Sequence, residues 1–117
     1  MEEIKAFVPA KDFQLSKEFY QDMGFIKASD CDGIAYFHYE GCSFLLQDFY
    51  QKDHANNFVM HVLVEDIESW HEKIKSSGII EKYATRVSGV TEQPWRMLDF
   101  VVFDPSGVSW RFGQNIS

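Results

Sequence analysis

The clearest alternation of apolar and polar positions lies near the end of the chain. Two β-like runs, Met97 to Phe103 and Val108 to Phe112, flank the tetrad Asp104-Pro105-Ser106-Gly107. Proline fixes φ and glycine accepts positive φ, so the tetrad predicts a tight reversal. The alternation from Val108 to Phe112 predicts a strand with one buried face. We therefore expect a hairpin, entered through the aromatic loop Gln93-Pro94-Trp95.

The first half of the chain predicts one strand, one helix and three further strands. Alternation from Ile4 to Ala10 indicates the first strand, and the helix begins after Asp12, a residue that favours the N-cap. The helix ends at Gly24, because glycine is the usual residue just beyond a helix. The three strands that follow start at Phe25, Ile34 and Cys42, and the polar segment Phe49 to Asn57 is predicted to be a loop.

The same order of elements returns in the second half. A strand is predicted from Phe58 to Val64, and a helix follows between Asp66 and Gly78. Asp12 and Asp66 are 54 residues apart, and so are Gly24 and Gly78. Two helix boundaries repeated at one offset indicate an internal repeat.

The offset changes after the helices. Gly41 and Gly107 are 66 residues apart, which indicates an insertion of about twelve residues in the second copy. We place that insertion around Ala84 to Pro94. The chain is thus predicted to be one α+β domain, 1–117, made of two βαβββ modules: module one 1–50, a linker 51–57 and module two 58–117. Neither module is large enough to close a core comfortably by itself.

Composition narrows the functional classes. The formal net charge of −7 argues against a nucleic-acid partner and mildly favours cationic ligands. The sequence has no 18-residue apolar run and begins Met-Glu-Glu, so we expect no membrane partner and a cytoplasmic location. Cys31 and Cys42 lack metal or redox spacing and are interpreted as packing residues.

Side-chain alternation separates a uniformly apolar sheet face from a mixed one. A face that combines aromatic groups with a few polar ones is what a ligand cleft requires, although a dimer interface is a serious alternative. The residues predicted to contact a ligand are Phe7, Tyr36, His38, Gln47, His61, Trp95, Phe100 and Arg111.

Several motifs resemble the vicinal-oxygen-chelate superfamily of glyoxalases, extradiol dioxygenases and antibiotic-resistance proteins. The opening Val8-Pro9-Ala10-Lys11-Asp12-Phe13, the Pro94-Trp95 loop, the Phe103-Asp104-Pro105-Ser106-Gly107 turn and the Arg111-Phe112-Gly113-Gln114 ending carry the resemblance. It implies two βαβββ modules that form a cupped mixed sheet. The resemblance to bleomycin-resistance-like proteins further implies a homodimer whose cleft lies between modules of two subunits. In such dimers the first strand is often exchanged between the subunits, and Pro9 is similar to the hinge of such an exchange.

The resemblance also locates the positions that hold metal in metal-dependent relatives. Here these positions are Lys5, Leu45, Val59 and Arg111. Two cations and two aliphatic side chains do not make a ligand set for a divalent ion, so no metal and no cofactor are predicted. The sequence is therefore most similar to the bleomycin-resistance branch, which sequesters its drug without chemistry.

Three hypotheses for function remain open. The first is a metal-independent protein that binds a small molecule, such as a bleomycin-like cationic or aromatic antibiotic. The second is a metal-free lyase or isomerase that uses a cleft histidine beside Arg111, and the third is a dimer with no ligand. We favour a binding protein over a catalyst and name no catalytic residue. Trp95 is expected to contact the ligand rather than the core, with burial at the edge between modules as the alternative.

Overall fold

The computed structural model describes residues 1–116 and contains the repeat that the sequence predicts. Module one consists of β1 (Phe7–Pro9), α1 (Phe13–Asp22), β2 (Ile26–Cys31), β3 (Ile34–Tyr39) and β4 (Cys42–Gln47). A short helix, α2 (Lys52–Asn56), connects it to module two. Module two consists of β5 (Val59–Leu63), α3 (Ile67–Ser76), α4 (Ile79–Lys82), β6 (Thr91–Gln93), β7 (Met97–Phe103) and β8 (Ser109–Asn115). In the described residues no helix is long and apolar enough to cross a membrane.

The boundaries predicted from the 54-residue repeat are confirmed. Asp12 Oδ1 accepts a hydrogen bond from Leu15 N at 3.1 Å, and Asp66 Oδ1 accepts one from Ser69 N at the same distance. Each bond satisfies one of the free amides at the start of a helix. Gly24 and Gly78 have φ angles of 110° and 81°, so both end their helices in the left-handed region that glycine tolerates.

Each module contributes one four-stranded mixed sheet. The strand orders are β1-β4-β3-β2 and β5-β8-β7-β6, and in both sheets the outer strand that precedes the helix pairs in parallel with the last strand. The two βαβββ modules predicted from the sequence are therefore confirmed. In each sheet one face carries helices, and we call the other face the open face.

The helix-bearing faces of both sheets meet in one core. The ring centroids of Phe44 in β4 and Trp110 in β8 lie 5.1 Å apart, and Tyr20 of α1 packs against both rings. Tyr20 donates its phenolic hydrogen to Asp104 and accepts a hydrogen bond of 2.9 Å from Trp110 Nε1. This buried network ties the first helix to the final hairpin. The open faces consequently lie on the outside of the common core.

The hairpin around residues 104–107 has the predicted reversal. Asp104 Oδ1 accepts hydrogen bonds from Ser106 N at 2.8 Å and from Val108 N at 2.9 Å, and Gly107 has a φ of 94°. Burial raises the pKa of Asp104 to about 6, against the opposing effect of the hydroxyl and amide donors around its carboxylate. The turn is therefore both a chain reversal and an anchor for the core.

Three features of the structure depart from the sequence-based expectations. The predicted loop at residues 49–57 contains α2, whose N-cap Gln51 accepts from His54 N and whose Ala55 is fully buried. The insertion lies earlier than predicted, since residues 77–90 separate α3 from β6 whereas residues 23–25 separate α1 from β2. As a result, Trp95 does not lie in the inserted segment. It lies in the turn between β6 and β7, which corresponds to the turn between β2 and β3 in module one.

Candidate functional site

The open face of module one brings together four of the predicted site residues. Strand pairing sets Phe7, Leu45 and Tyr36 in one row across β1, β4 and β3, with His38 opposite Ser43 in the next row. Gln47 lies in the row on the other side, opposite Ile34. Phe7 is 50% exposed, and the other residues of these rows are half-buried. The arrangement is an apolar surface with a few polar groups, as the alternation of the strands predicted.

A carboxylate from the N-terminal segment lies on this same face. Glu3 accepts hydrogen bonds from Ser43 Oγ at 2.5 Å and from the Tyr36 hydroxyl at 3.1 Å, and Lys5 Nζ lies 3.0 Å from Glu3 Oε1. The Ser43 hydroxyl, followed by Lys5, lowers the pKa of Glu3 to about 2. A hollow of about 350 Å³ lies beside Glu3, lined also by His38, Cys42 and Ser43.

The open face of module two is organised by an ion pair. Arg111 Nη1 lies 2.7 Å from Asp99 Oδ2, and Gln93 Nε2 donates a hydrogen bond of 2.9 Å to the other carboxylate oxygen. The side chain of Asp99 is 2% exposed, whereas that of Arg111 is 37% exposed. Asp99 therefore holds the guanidinium in place from beneath while part of it remains accessible from outside.

His61 lies next to Arg111 on this face, because the two residues are partners in the parallel pairing of β5 and β8. A β-carbon built on Gly113 would lie 2.9 Å from His61 Nε2 and 2.5 Å from Met97 Sδ. The imidazole and the thioether thus occupy the space above Gly113. A side chain at position 113 would displace both of them.

Phe100 does not belong to the open face, so its predicted position is wrong. Its side chain is 1% exposed, and its ring stacks on Phe112 with centroids 4.9 Å apart. Phe100 and Phe112 are cross-strand partners in the antiparallel pairing of β7 and β8, and such partners share a face. Since Phe112 faces the helices, so does Phe100, and the open-face residues of β7 are its neighbours Asp99 and Val101.

Trp95 lies at the rim of module two, in the turn that joins β6 to β7. Its side chain is 61% exposed, so it is not part of the core of the chain. The turn is closed by a hydrogen bond of 3.1 Å from Arg96 N to Gln93 O, and Arg96 has a φ of 64°. Trp95 is therefore held beside the open-face residues Gln93 and Met97, where its ring is accessible.

The four positions that resemble metal-ligand positions do not fit a metal ion. Lys5 pairs with Glu3, Arg111 pairs with Asp99, and the other two positions, Leu45 and Val59, are aliphatic. Within residues 1–116 no three His, Cys, Asp or Glu side chains converge as metal ligands would. At each of the two charged positions, a divalent cation would meet a positive charge in place of an anionic or imidazole donor.

The predicted site residues thus fall into two groups in a single chain. Phe7, Tyr36, His38 and Gln47 share one open face, and His61 and Arg111 share the other, with Trp95 at its rim. A separate apolar groove of about 700 Å³ lies between the modules, lined by residues that include Tyr39, Met60, Trp70 and Trp110. The predicted site residue His61 also lies at the edge of this groove.

The sequence-based prediction missed Glu3, Gln93 and Asp99. Asp99 could have been found, because alternation along β7 from Phe103 through Val101 leads to it once Phe100 is assigned to the core. Glu3 shares a face with Lys5 and Phe7 by the same alternation. The hydrogen bond from Gln93 to Asp99 depends on the pairing of β6 with β7. The position of β6 was not predicted, because residues 84–94 were assigned to the insertion.

Several solved structures share this fold. A bleomycin resistance determinant encoded on the transposon Tn5 superposes with a TM-score of 0.85 at 21% identity, covering 98% of each chain. A bleomycin-binding protein from bleomycin-producing Streptomyces verticillus, complexed with copper(II)-bleomycin, gives a TM-score of 0.79 at 19% identity over 100% of this chain and 98% of that one. A lactoylglutathione lyase from Agrobacterium tumefaciens gives 0.69 at 16% identity over 96% and 92%.

At these identities the structural likeness establishes the fold and does not distinguish a binding protein from a lyase. No curated protein matches the sequence. The family model for the Glyoxalase/Bleomycin resistance protein/Dioxygenase superfamily, however, matches residues 4–112. With that match over nearly the whole chain and with two βαβββ modules in the structure, the protein belongs to the glyoxalase/bleomycin resistance protein/dioxygenase superfamily.

Proposed function

We propose that the protein binds and sequesters an aromatic or cationic small molecule, such as a bleomycin-like antibiotic, without a metal and without changing it chemically. The observation that carries the proposal is the composition of the two open faces. Each face presents accessible aromatic or aliphatic side chains around a small set of fixed polar groups. Solved relatives that bind bleomycin on the same fold support a binding role.

The proposed ligand contacts come from both faces. Phe7 and Tyr36 on module one and Trp95 on module two supply aromatic surface for a planar or cationic group. His38, Gln47, His61 and Arg111 supply hydrogen bonds that orient it. Arg111 suits this role because Asp99 already fixes its position, so little side-chain entropy is lost when a ligand binds.

The proposed working unit is a homodimer, with module one of one subunit facing module two of the other across the ligand. Phe7 on the open face of module one, and Val59 and Leu63 on that of module two, are all at least half exposed in the single chain. Exposed apolar side chains on a sheet face commonly mark an interface. A second subunit would cover them and would bring the two halves of the site together. Light scattering at micromolar concentration should give twice the chain mass of 13.6 kDa, and a monomeric mass would contradict the dimer.

We also propose that the protein acts in the cytoplasm. Cys31 and Cys42 are both free and both exposed, so the interpretation of these cysteines as packing residues is wrong. Exposed free thiols are typical of a reducing compartment.

The alternative function is a metal-free lyase or isomerase in which His61 acts as the base beside Arg111. The adjacency of these two residues on one open face favours it. The ion pair with Asp99 counts against it, because it neutralises much of the charge with which Arg111 would stabilise an anionic intermediate.

A thermal-shift panel separates these functions. The panel contains bleomycin, planar aromatic cations and neutral aromatic analogues, each tested with the wild type and with Phe7→Ala. A binding protein is expected to melt several degrees higher with at least one compound, by mass action, and the gain should fall in the variant. Recovery of that compound unchanged after prolonged incubation supports sequestration. Conversion of the compound supports the enzyme, and no shift with any compound contradicts both.

A further inference from the structure

Three hydrogen-bond donors converge on one carboxylate at the open face of module one. The hydroxyl of Tyr36, the hydroxyl of Ser43 and the ammonium of Lys5 all point to Glu3, at distances of 3.1, 2.5 and 3.0 Å. Lys5 Nζ also lies 5.3 Å from the centroid of the Tyr36 ring. Two hydroxyls and an ammonium around one carboxylate have the donor chemistry of an oxyanion-binding site.

The donors and the acceptor are held very differently. Tyr36 and Ser43 belong to β3 and β4, which pair with each other along their whole length. Glu3 belongs to the segment that precedes β1, and its neighbour Ile4 is 80% exposed. The two hydroxyl donors are thus fixed by the sheet, whereas Glu3 and the third donor, Lys5, both lie in the segment that precedes β1. Such a segment opens at low free-energy cost compared with the sheet beneath it.

The hollow of about 350 Å³ beside Glu3 gives an external group a route to two of these donors, the hydroxyls of Tyr36 and Ser43. His38, Glu40 and Cys42 also line it. A ligand bound on this open face can therefore reach the position of the Glu3 carboxylate without any rearrangement of the sheet.

We propose that Lys5, Tyr36 and Ser43 form an oxyanion subsite that Glu3 occupies in the free protein, and that the carboxylate of an aromatic ligand displaces Glu3 from it. The inference rests on the proposed function, because it assumes that the open face of module one binds the ligand. It narrows the ligand from an aromatic or cationic molecule to an aromatic one that carries an anionic group. The N-terminal segment then acts as an internal competitor, and any ligand must overcome it.

The test compares three probes of similar shape: benzoate, neutral benzamide and cationic benzamidine. Each is titrated into the full chain while the backbone amides of β3 and β4 are followed by NMR. The variants are Glu3→Gln, which weakens the internal competitor, and Glu3→Gln combined with Ser43→Ala, which also removes a donor. Glu2→Gln is the matched control, since Glu2 is exposed and lies in the same segment.

Benzoate is expected to bind Glu3→Gln about tenfold more tightly than the wild type or Glu2→Gln, and the added Ser43→Ala change should abolish most of that gain. The affinity for benzamide should change less than twofold. Equal affinity of benzoate for the wild type and Glu3→Gln would overturn the proposal. An equal gain in affinity for benzamide would also overturn it, because Glu3 would then act as a steric cover. A loss of benzamidine binding in Glu3→Gln would overturn it as well, because Glu3 would then be a contact for the cation.

These outcomes can be separated from a failure of the proposed function. If benzamide binds the face and Phe7→Ala removes that binding while Glu3→Gln has no effect on benzoate, only the oxyanion subsite is contradicted. If none of the three probes perturbs β3 or β4 in any variant, both the subsite and the ligand-binding role of this face are contradicted.

Discussion

Arg111 donates a hydrogen bond of 2.7 Å to Asp99, joining a partly accessible guanidinium to a buried carboxylate. Losing one partner of this pair does not cost the same as losing the other. Removal of the guanidinium leaves the buried charge of Asp99 unpaired and out of reach of water, whereas removal of the carboxylate leaves an arginine that water can solvate. Arg111→Met, which keeps the apolar stem, should therefore lower the free energy of unfolding by about 3 kcal/mol, and Asp99→Asn by only about 1 kcal/mol.

Urea denaturation of both variants measures this order. A larger loss in Asp99→Asn than in Arg111→Met would contradict the picture of Asp99 as a buried support beneath an accessible arginine. Gln47→Ala, a change on the other open face, is a suitable control and should stay within about 0.5 kcal/mol of the wild type.

Asp104 should make stability depend on pH in an unusual direction. Because burial raises its pKa from 3.8 to about 6 in the folded chain, its contribution is complete below pH 4 and is lost as the pH rises through 6. The stability of the wild type relative to Asp104→Asn should therefore fall between pH 4 and pH 7, by up to about 3 kcal/mol. Chemical denaturation of both proteins across this range measures the difference. A difference that is constant, or that grows with pH, would contradict the raised pKa.

Trp95 should matter for binding and not for stability. Since its side chain is 61% exposed, Trp95→Ala is expected to change the free energy of unfolding by less than about 0.5 kcal/mol. Trp110→Ala, which removes a buried ring of the core, is the contrasting variant and should cost about 3 to 5 kcal/mol. The emission of Trp95 should respond to a ligand, provided that the signals of Trp70 and Trp110 are subtracted. A large loss of stability in Trp95→Ala would show that the ring is covered, as in the alternative of burial between modules.

Gly113→Ala should disturb the open face of module two from below. The added methyl group would meet His61 Nε2 and Met97 Sδ at 2.9 and 2.5 Å, so both side chains must move, at a cost of about 1 to 2 kcal/mol. NMR signals of the His61 ring should shift in this variant. Gly89→Ala is the matched control, because nothing lies within 4 Å of the added carbon there. An unchanged His61 ring in Gly113→Ala would contradict the geometry above Gly113.

The fold could be predicted from the sequence because its strongest signals are local. Asp12, Gly24 and their counterparts Asp66 and Gly78 mark helix ends by capping and by positive φ, and the structure places all four as expected. The short helix at 52–56 was harder to predict. It has few residues, and its segment is mostly polar, so the sequence pattern gives no sign that Ala55 is buried by tertiary packing.

The site could be predicted only as far as strand register could be. Residues on β1, β3, β4, β5 and β8 were assigned to the correct face, because at least one polar or charged side chain on each predicted strand marks its open face. In β7 the run Phe100-Val101-Val102-Phe103 is apolar throughout, so alternation alone does not set its register. The pairing of Phe100 with Phe112 decides it, and that contact lies between strands. The error in register placed Phe100 in the site and left Asp99 out.

A small molecule is proposed to bind on the open faces of the two sheets. The most direct test of this binding is a backbone-amide NMR titration with bleomycin, or with whichever compound of the thermal-shift panel raises the melting temperature most. We expect the largest shifts at open-face positions of β3, β4, β5 and β8, including Tyr36, His38, His61 and Arg111, and at the indole N–H of Trp95. Shifts confined to the groove between the modules, around Met60 and Trp70, would contradict binding on the open faces.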